Sequence, residues 1–436
     1  MSYKPYYVPI DNIYSKDSNR KNKIVTSNCL HYCPPSSGGW GIIRVALLVP
    51  ESILLFVSPA ACGRHGAIAG IQLGFKDRLF FLHMKESHIV TGYHMDRIDD
   101  AVSEIIKHSK LKPKALTICA TCIDDLLGSD YGSLVKELEK KYGITVRECH
   151  MDPIAMDGKT PPPLTVQKTI YNYIDKVEEK DNSINIIGNF AAIDEESEFY
   201  EVMYEAGISE IRHIASCDTF EEFQKMSKAK YNILVKYGGR LAAEDMEKRL
   251  GIPYIFAPVE YDVDNIKKTY GKLEETLGLK LNTQKYLEET LQAIDYYSER
   301  LGSLSVAVGS SINASPFELA CALTKYGFHV TYVFADQIMN YEKDYLKWLK
   351  LNAPHIKIFT NSHPTMADFS NEKLEADMAI GFDAGYFCSG CKTVPLLLDS
   401  QPFGYKGIYH LFEEMEKALK DKKSHKEQMY AHGLVI

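Results

Sequence analysis

The chain has 436 residues, 45% of them hydrophobic and 25% charged, and a formal net charge of −8. That length is too great for one hydrophobic core, and the composition is that of a globular protein of two to four domains. The acidic balance, with no basic stripe interleaved with aromatics, excludes a nucleic-acid binder, and no apolar run is long enough to span a membrane.

The N-terminus lacks a signal peptide's apolar core, so the expected location is the cytoplasm. The ten cysteines are then expected as ligands, redox groups or buried hydrophobes rather than disulfides. Residues 1–28 are polar and rich in Lys, Asn and Ser, and read as an arm that needs another surface to order it. A short apolar helix is expected over 40–48, ended by Pro50, and a buried strand over 53–57. Pro59 and Gly63 then punctuate a turn, and 67–73 read as a helix. Cys62 falls on that strand-to-helix corner, where unsatisfied backbone N–H groups favour a thiolate.

From Leu79 the chain alternates. Strands are expected at 79–82, 88–90, 116–119 and 145–148, and helices at 98–108 and 130–142. Such alternation predicts a parallel sheet with helices on both faces. The Pro-rich stretch 152–165 reads as a loop, 166–177 as a helix and 178–183 as a charged connector. A second unit follows, with strands at 184–188, 210–214, 231–235 and 254–256 and helices at 195–206, 219–226 and 241–250. The long amphipathic helix 283–301 connects it to a third unit. That unit has strands at 304–308, 329–334, 356–359 and 378–380 and helices at 316–326, 341–351 and 408–420, with a solvated tail beyond. The predicted plan is therefore α/β: an arm (1–28) and three Rossmann-like parallel-sheet domains (29–180, 181–302 and 303–436). Ligands in such folds sit at the C-terminal strand ends.

Three cysteines lie at such punctuated ends: Cys33 before two prolines, Cys62, and Cys122 after Ala-Thr. Soft thiolates that wrap an anionic core suit an iron–sulfur cluster. The plain alternative is a small buried hydrophobe, the common fate of a reduced Cys. Other cysteines compete. Cys29 and Cys33 flank Leu-His31-Tyr, Cys119 and Cys122 form a CxxC, and Cys388-Ser-Gly-Cys391 forms a second. Such pairs bind metal or do dithiol chemistry, and a zinc site from two pairs is an alternative. Against it, Cys119 sits so near Cys122 at a strand end that one of the two is expected to face the core. Cys149, Cys217 and Cys321 read as structural. The glycine turns at Gly188, Gly238-Gly239, Gly309 and Gly381 lack the dinucleotide fingerprint, and there is no phosphate-binding loop, so any ATP chemistry belongs to a partner. The pairs Asp99-Asp100 and Asp124-Asp125 read as helix caps.

Several stretches together resemble the component 1 family of nitrogenases and nitrogenase-like reductases. Ser58-Pro-Ala-Ala-Cys62-Gly63 is similar to the family's Gly-Pro-x-Gly-Cys corner, and Cys33-Pro-Pro to its first cluster cysteine. The run Cys119-Ala-Thr-Cys122-Ile-Asp-Asp-Leu-Leu-Gly-Ser-Asp130 resembles its Thr-Cys-x-x-x-Ile-Gly-Asp-Asp segment, which puts Cys122 on the ligand position. Ile184 to Gly188 and Ala376 to Gly381 resemble the opening strand of the second domain and the last strand of the third.

The resemblance implies that Cys33, Cys62 and Cys122 hold a cluster, 4Fe–4S or larger and P-cluster-like, at a subunit interface, with Cys29 as an additional candidate ligand. It implies a homologous subunit or second copy, in a dimer or an α2β2-type tetramer, and an ATP-dependent iron–sulfur reductase as electron donor. It also implies a substrate or metallocofactor pocket among the three domains. The molybdenum enzyme's cofactor ligands are missing: the matching stretches read Val235-Lys-Tyr-Gly-Gly239, without Cys, and Ser400-Gln-Pro-Phe-Gly-Tyr405, without His. Dinitrogen reduction is therefore not expected. Cys388 and Cys391 are extra to the pattern and are candidates for a second metal or redox site. The expected function is an iron–sulfur oxidoreductase subunit; the alternative is a scaffold for assembly of a complex metal cluster.

Overall fold

The computed structural model describes residues 7–10, 24, 32, 41–151, 162–371, 374–388 and 390–432. A short strand in the arm, β1 (Tyr7–Pro9), precedes the run Ser52–Pro59, β2, whose first seven residues are buried. Burial on both faces is what a central parallel strand requires. β3 (Leu79–Met84), β4 (Ala115–Thr121) and β5 (Thr145–Met151) complete its sheet, all parallel, in the order β3-β2-β4-β5. β6 (Ser183–Ile187), β7 (Glu210–Arg212), β8 (Tyr231–Leu234) and β9 (Tyr254–Phe256) form a second parallel sheet, β7-β6-β8-β9.

These two sheets belong to one compact unit, Gly38–Ala192 with Gly207–Pro258. Alternation along β2 builds two cores. Ile53, Leu55 and Val57 meet Ile98, Val102 and Ile105 of the helix Tyr93–His108, and Val135 and Leu138 of the helix Tyr131–Tyr142. Leu54 and Phe56 join the other core. There the helix Pro162–Tyr171 supplies Val166, Ile170 and Tyr171, and the second sheet supplies Ile187 and Leu234. Each such side chain, fully buried, stabilises the unit by about 1.5–3 kcal/mol.

The other unit draws on Met1–Ser37, Ile193–Ala206 and Val259–Ile436. Its sheet uses β10 (Ser305–Val308), β11 (His329–Phe334), β12 (Lys357–Phe359), β13 (Met378–Ile380) and β14 (Lys392–Val394), in the order β1-β12-β11-β10-β13-β14. All of these pairs are parallel except β1 on β12, where Tyr7 faces Phe359. The described piece of the arm thus finds its surface on its own chain. Among the described residues no helix is long and apolar enough to cross a membrane.

The structure departs from the sequence reading in several places, among them β14, which follows the strand 378–380 expected to be the last. The helix after β2 is Ala60–Gln72, with no intervening turn, so Gly63 lies inside it. Residues 88–90 are not a strand but part of the helix Glu86–Thr91, because Gly92, in the left-handed region at φ 72°, caps it through Ile89 O. The helix Val263–Leu277 lies outside the elements expected from the sequence, although Asp262 caps its start and Gly278 its end. The tail beyond 420 is not simply solvated: a Ser424/Glu427 capping box starts the helix His425–Ala431, which buries Gln428 and Met429.

Candidate functional site

Strand order decides where a parallel sheet can hold a ligand. In β3-β2-β4-β5 the chain runs from β2 outward to β3, then returns past β2 to β4, so the direction of winding switches between β2 and β4. A crevice opens outside the C-terminal ends of the strands at such a point. Cys62 and Cys122 follow these two strands: Cys62 is the third residue of the helix after β2, and Cys122 the first residue of the helix Cys122–Leu127 after β4. Both are half-buried. Cys119, one turn of chain earlier, is fully buried and pairs in register with the buried Cys149 of β5. Burial pushes the Cys119 thiol well up, and its hydrogen bond with Cys149 adds to this. Of the CxxC pair, Cys119 is therefore the core residue, as expected. Cys33 and Cys29 lie outside the described residues.

The Cys62 helix is held close to the sheet by what it lacks. A Cβ at Gly66 would stand 2.8 Å from Ile43 Cδ1, one at Gly70 2.6 Å from Leu79 Cδ2, and one at Gly63 3.1 Å from both His83 and Phe81. Three glycines at spacings of three and four lie on one helical face, so the backbone itself approaches β3. Ser58 ends the buried part of β2 and is fully buried, with its Oγ lacking any hydrogen-bond partner. That hydroxyl lies 3.3 Å from the position of a Gly63 Cβ, immediately beside Cys62. Near Cys62 there is thus one orphaned buried hydroxyl, and half-buried thiols stand at the helix starts after β2 and β4; thiolates and hydrogen-bond donors of this kind are what an iron–sulfur cluster takes. Among the described residues, no set of three or more His, Cys, Asp and Glu is gathered to hold a single metal ion.

The Cys122 helix is held differently. Asp124 is buried and accepts hydrogen bonds from His94 Nε2 at 2.9 Å and from the Thr121 N–H at 3.3 Å. Asp125 pairs with His150 Nδ1 at 2.7 Å. Reading these two aspartates only as caps missed both histidines; nothing in the local sequence links position 94 or 150 to them. Past the C-terminal ends of β3 and β4, large apolar side chains face solvent: Val90 is 80% exposed and Leu126 76%, with Tyr93 and Leu127 about half exposed.

At the strand ends of the other two sheets, the backbone and a buried carboxylate pack closely. At the ends of β6 and β8, Gly188 and Gly239 pack Cα against the place a Cβ would take, and a Gly188 Cβ would meet Lys236 O at 2.7 Å. At the ends of β10 and β13, the buried Asp383 carboxylate takes the Ser310 N–H and hydroxyl (2.6 and 2.8 Å), the Ser311 hydroxyl (2.7 Å) and the Asn361 amide (2.9 Å). A phosphate would need those same donors, so this carboxylate replaces it. Cys388 is fully buried in an apolar cluster with Phe334, Phe359 and Phe387, and the half-buried Cys391 packs against it. Neither is in a disulfide. Burial pushes the Cys388 thiol well up and the Cys391 thiol up to about 11.

The family described as nitrogenase component 1 type oxidoreductase matches residues 37–420. The chain is 23% identical over 431 residues to a nitrogenase iron-molybdenum cofactor biosynthesis protein NifE of Nostoc sp., covering 93% of this chain and 87% of that one. It is 25% identical over 418 residues to a nitrogenase iron-iron protein beta chain of Rhodobacter capsulatus, covering 82% and 88%. With the NifE of Clostridium pasteurianum it shares 28% identity over 243 residues, 52% of this chain, and spans about half of that relative, 51%. The solved structure of nitrogenase Cp1 at pH 6.5 superposes with a TM-score of 0.69 at 16% identity, covering 95% of this chain and 97% of that one; the likeness is one of fold.

Proposed function

The chain belongs to the nitrogenase component 1 type oxidoreductase family, and from that premise we propose that it is the iron–sulfur subunit of a nitrogenase-like two-component reductase. The observation that carries this reading is the placement of Cys62 and Cys122 on the two helices that follow β2 and β4, either side of the switch in winding. In this reading Cys62, Cys122 and Cys33 are the ligands, with Cys29 the candidate for a further one. When bound, a 4Fe–4S or larger cluster supplies one-electron redox chemistry. The chain's own residues bind and orient it. The Cys62 helix presents its thiol from a backbone pressed on the sheet, and the Ser58 hydroxyl offers a hydrogen bond from the dry side. The apolar residues Val90, Leu126 and Leu127 are the face on which a homologous subunit or second copy covers the crevice, since exposed apolar area of this kind marks association. Electrons come from an ATP-dependent iron–sulfur reductase, as the sequence carries no phosphate-binding loop motif of its own. The setting is cytoplasmic.

A second reading, a scaffold on which a complex metal cluster is assembled and handed on, is favoured by one observation. The turn Lys236 to Gly239 has no cysteine, and at Gly239 a Cβ would run into Gly188 Cα. The chain therefore offers no Cys ligand for a metallocofactor at that turn, and Gly239 has no room for one. The NifE relatives are cofactor biosynthesis proteins by name.

The test is anaerobic expression and purification, followed by iron and sulfide analysis and electron paramagnetic resonance of the reduced protein. Cys62→Ala and Cys122→Ala are expected to abolish the iron and the signal, and Cys119→Ala to keep both. A wild-type chain that binds no iron after reconstitution overturns the reading. ATP-dependent turnover with a reductase component supports the enzyme; transfer of iron to an apo acceptor without turnover supports the scaffold.

A further inference from the structure

The helix that carries Cys122 has six residues. So short a helix does not hold its shape alone, because nucleation costs more than a few hydrogen bonds return. Two consecutive side chains on it reach out in different directions, about 100° apart, to two separate elements. Asp124 Oδ1 lies 2.9 Å from His94 Nε2, and both side chains are at most 2% exposed. His94 opens the helix Tyr93–His108, and its Nδ1 stands 3.3 Å from the carbonyl of His88 in the helix Glu86–Thr91. The second carboxylate oxygen of Asp124 receives the N–H of Thr121, the residue before Cys122, so one carboxylate joins the imidazole to the backbone at the thiol. On the other side, Asp125 bonds His150 Nδ1 at 2.7 Å. His150 lies on β5, in register with Ala120 of β4, and its ring meets that of Tyr131 edge to face at 6.1 Å. Asp125 is three residues after Cys122, hence on the same side of the helix.

Capping alone does not explain this. A capping box needs only the carboxylate and the N–H groups of its own turn. It needs no histidine from 30 residues upstream, and burying an imidazole against a carboxylate carries a desolvation cost.

We propose that His94 and His150 are positioning residues for Cys122: through Asp124 and Asp125 they clamp its six-residue helix to the helix Tyr93–His108 and to β5. This rests on the reading of Cys122 as a cluster ligand, and neither histidine touches the cluster in it. Partners that orient a metal's ligands are worth about 10–100-fold in metal affinity.

The experiment uses the full chain, purified metal-free and then reconstituted with iron and sulfide. Peptide-resolved amide hydrogen exchange is measured on the metal-free form of wild type, His94→Leu, His94→Gln and His150→Gln. His94→Leu is expected to raise exchange across 121–129 by about tenfold, since it removes a hydrogen bond to a charged group. Exchange across 60–72 stays unchanged, and His94→Gln, which keeps an N–H donor, moves 121–129 back toward wild type. His150→Gln is expected to raise exchange at 121–129 by about twofold, as befits a part-exposed pair. In the reconstituted form, His94→Leu loses iron to a chelator about tenfold faster than wild type, and His94→Gln recovers. Equal rises at 121–129 and 60–72, no rise at 121–129, or no recovery with Gln overturns the proposal. Should His94→Leu fail to fold, His150→Gln and His94→Gln decide it on the same peptides. A wild-type chain that takes up no iron overturns the cluster reading, and the exchange pattern then decides alone whether the histidines hold Cys122.

Discussion

A buried carboxylate is worth keeping only where several donors converge on it, and Asp383 has such a place. It sits in the first turn after β13 and collects the N–H and hydroxyl groups of Ser310 and Ser311, past the end of β10, together with Asn361. Gly309 allows the approach, because a Cβ there would run into Asp383 Oδ1. The arrangement copies an anion site with an internal anion. Asp383→Ala would leave two part-buried hydroxyls and two N–H groups without their acceptor, so it is expected to destabilise the unit by about 2 kcal/mol, read from urea unfolding of the metal-free protein. Cys388→Ser with Cys391→Ser is expected to leave the iron content of the chain unchanged and to lower its thermal midpoint, because Cys388 packs among Phe334, Phe359 and Phe387 and a hydroxyl there lacks a partner. Iron lost from the double variant would instead mark the pair as a second metal site.

At the scale of elements, the helix Val263–Leu277 tests what glycine costs when nothing needs it. Gly271 lies mid-helix and exposed, with no atom within 4 Å of a Cβ there, so Gly271→Ala is expected to stabilise by about 0.5–1 kcal/mol. Gly70→Ala in the Cys62 helix makes the same gain in propensity but drives a methyl against Leu79 Cδ2, and is expected to be destabilising on balance by about 1 kcal/mol. Chemical unfolding of the two variants reads both signs. The contrast also explains what the sequence alone could convey. β2 and β4 were legible because continuous apolar runs have few other homes, and the parallel α/β plan followed from their alternation with helices. In the sequence Gly63 reads as a turn residue, because its spacing to Gly66 and Gly70 has meaning only once β3 lies beneath it. The strand expected at 88–90 rested on Ile89 and Val90; the left-handed cap at Gly92 outweighed their β preference. The place of the thiols at strand ends can be read from the sequence, whereas the contacts of His94 and His150 cannot, since register and helix packing alone bring them to Asp124 and Asp125.

At the scale of the whole chain, the excess of acid has an uneven consequence. Most carboxylates face water, but Glu198, Glu260, Glu318 and Glu342 are buried, all within the unit built around β10 to β14. Desolvation raises the pKa of each. Glu318 is the extreme case: burial first and the neighbouring Glu260 second push it up to about 8, against the pull of the Tyr261 and Asp262 N–H groups and the Asn265 amide. The sign follows from proton counting. Between the ordinary carboxylate pKa of about 4.3 and about 8, the folded chain keeps this proton and the unfolded chain has lost it. The native state therefore binds more protons in that window, and stability falls as pH rises through it. The other three glutamates add slopes of the same sign over narrower ranges. Below about pH 6.5 the buried His213, lowered to about 4, works in the opposite direction, so thermal midpoints of the metal-free protein are expected to decline from about pH 6.5 to about pH 8. Glu318→Gln, which presents an uncharged side chain of the same shape to the same N–H donors, is expected to flatten that decline and to raise the midpoint at pH 8 above wild type. An unchanged slope in the variant would mean that Glu318 stays ionised in the fold, with its three donors outweighing its burial.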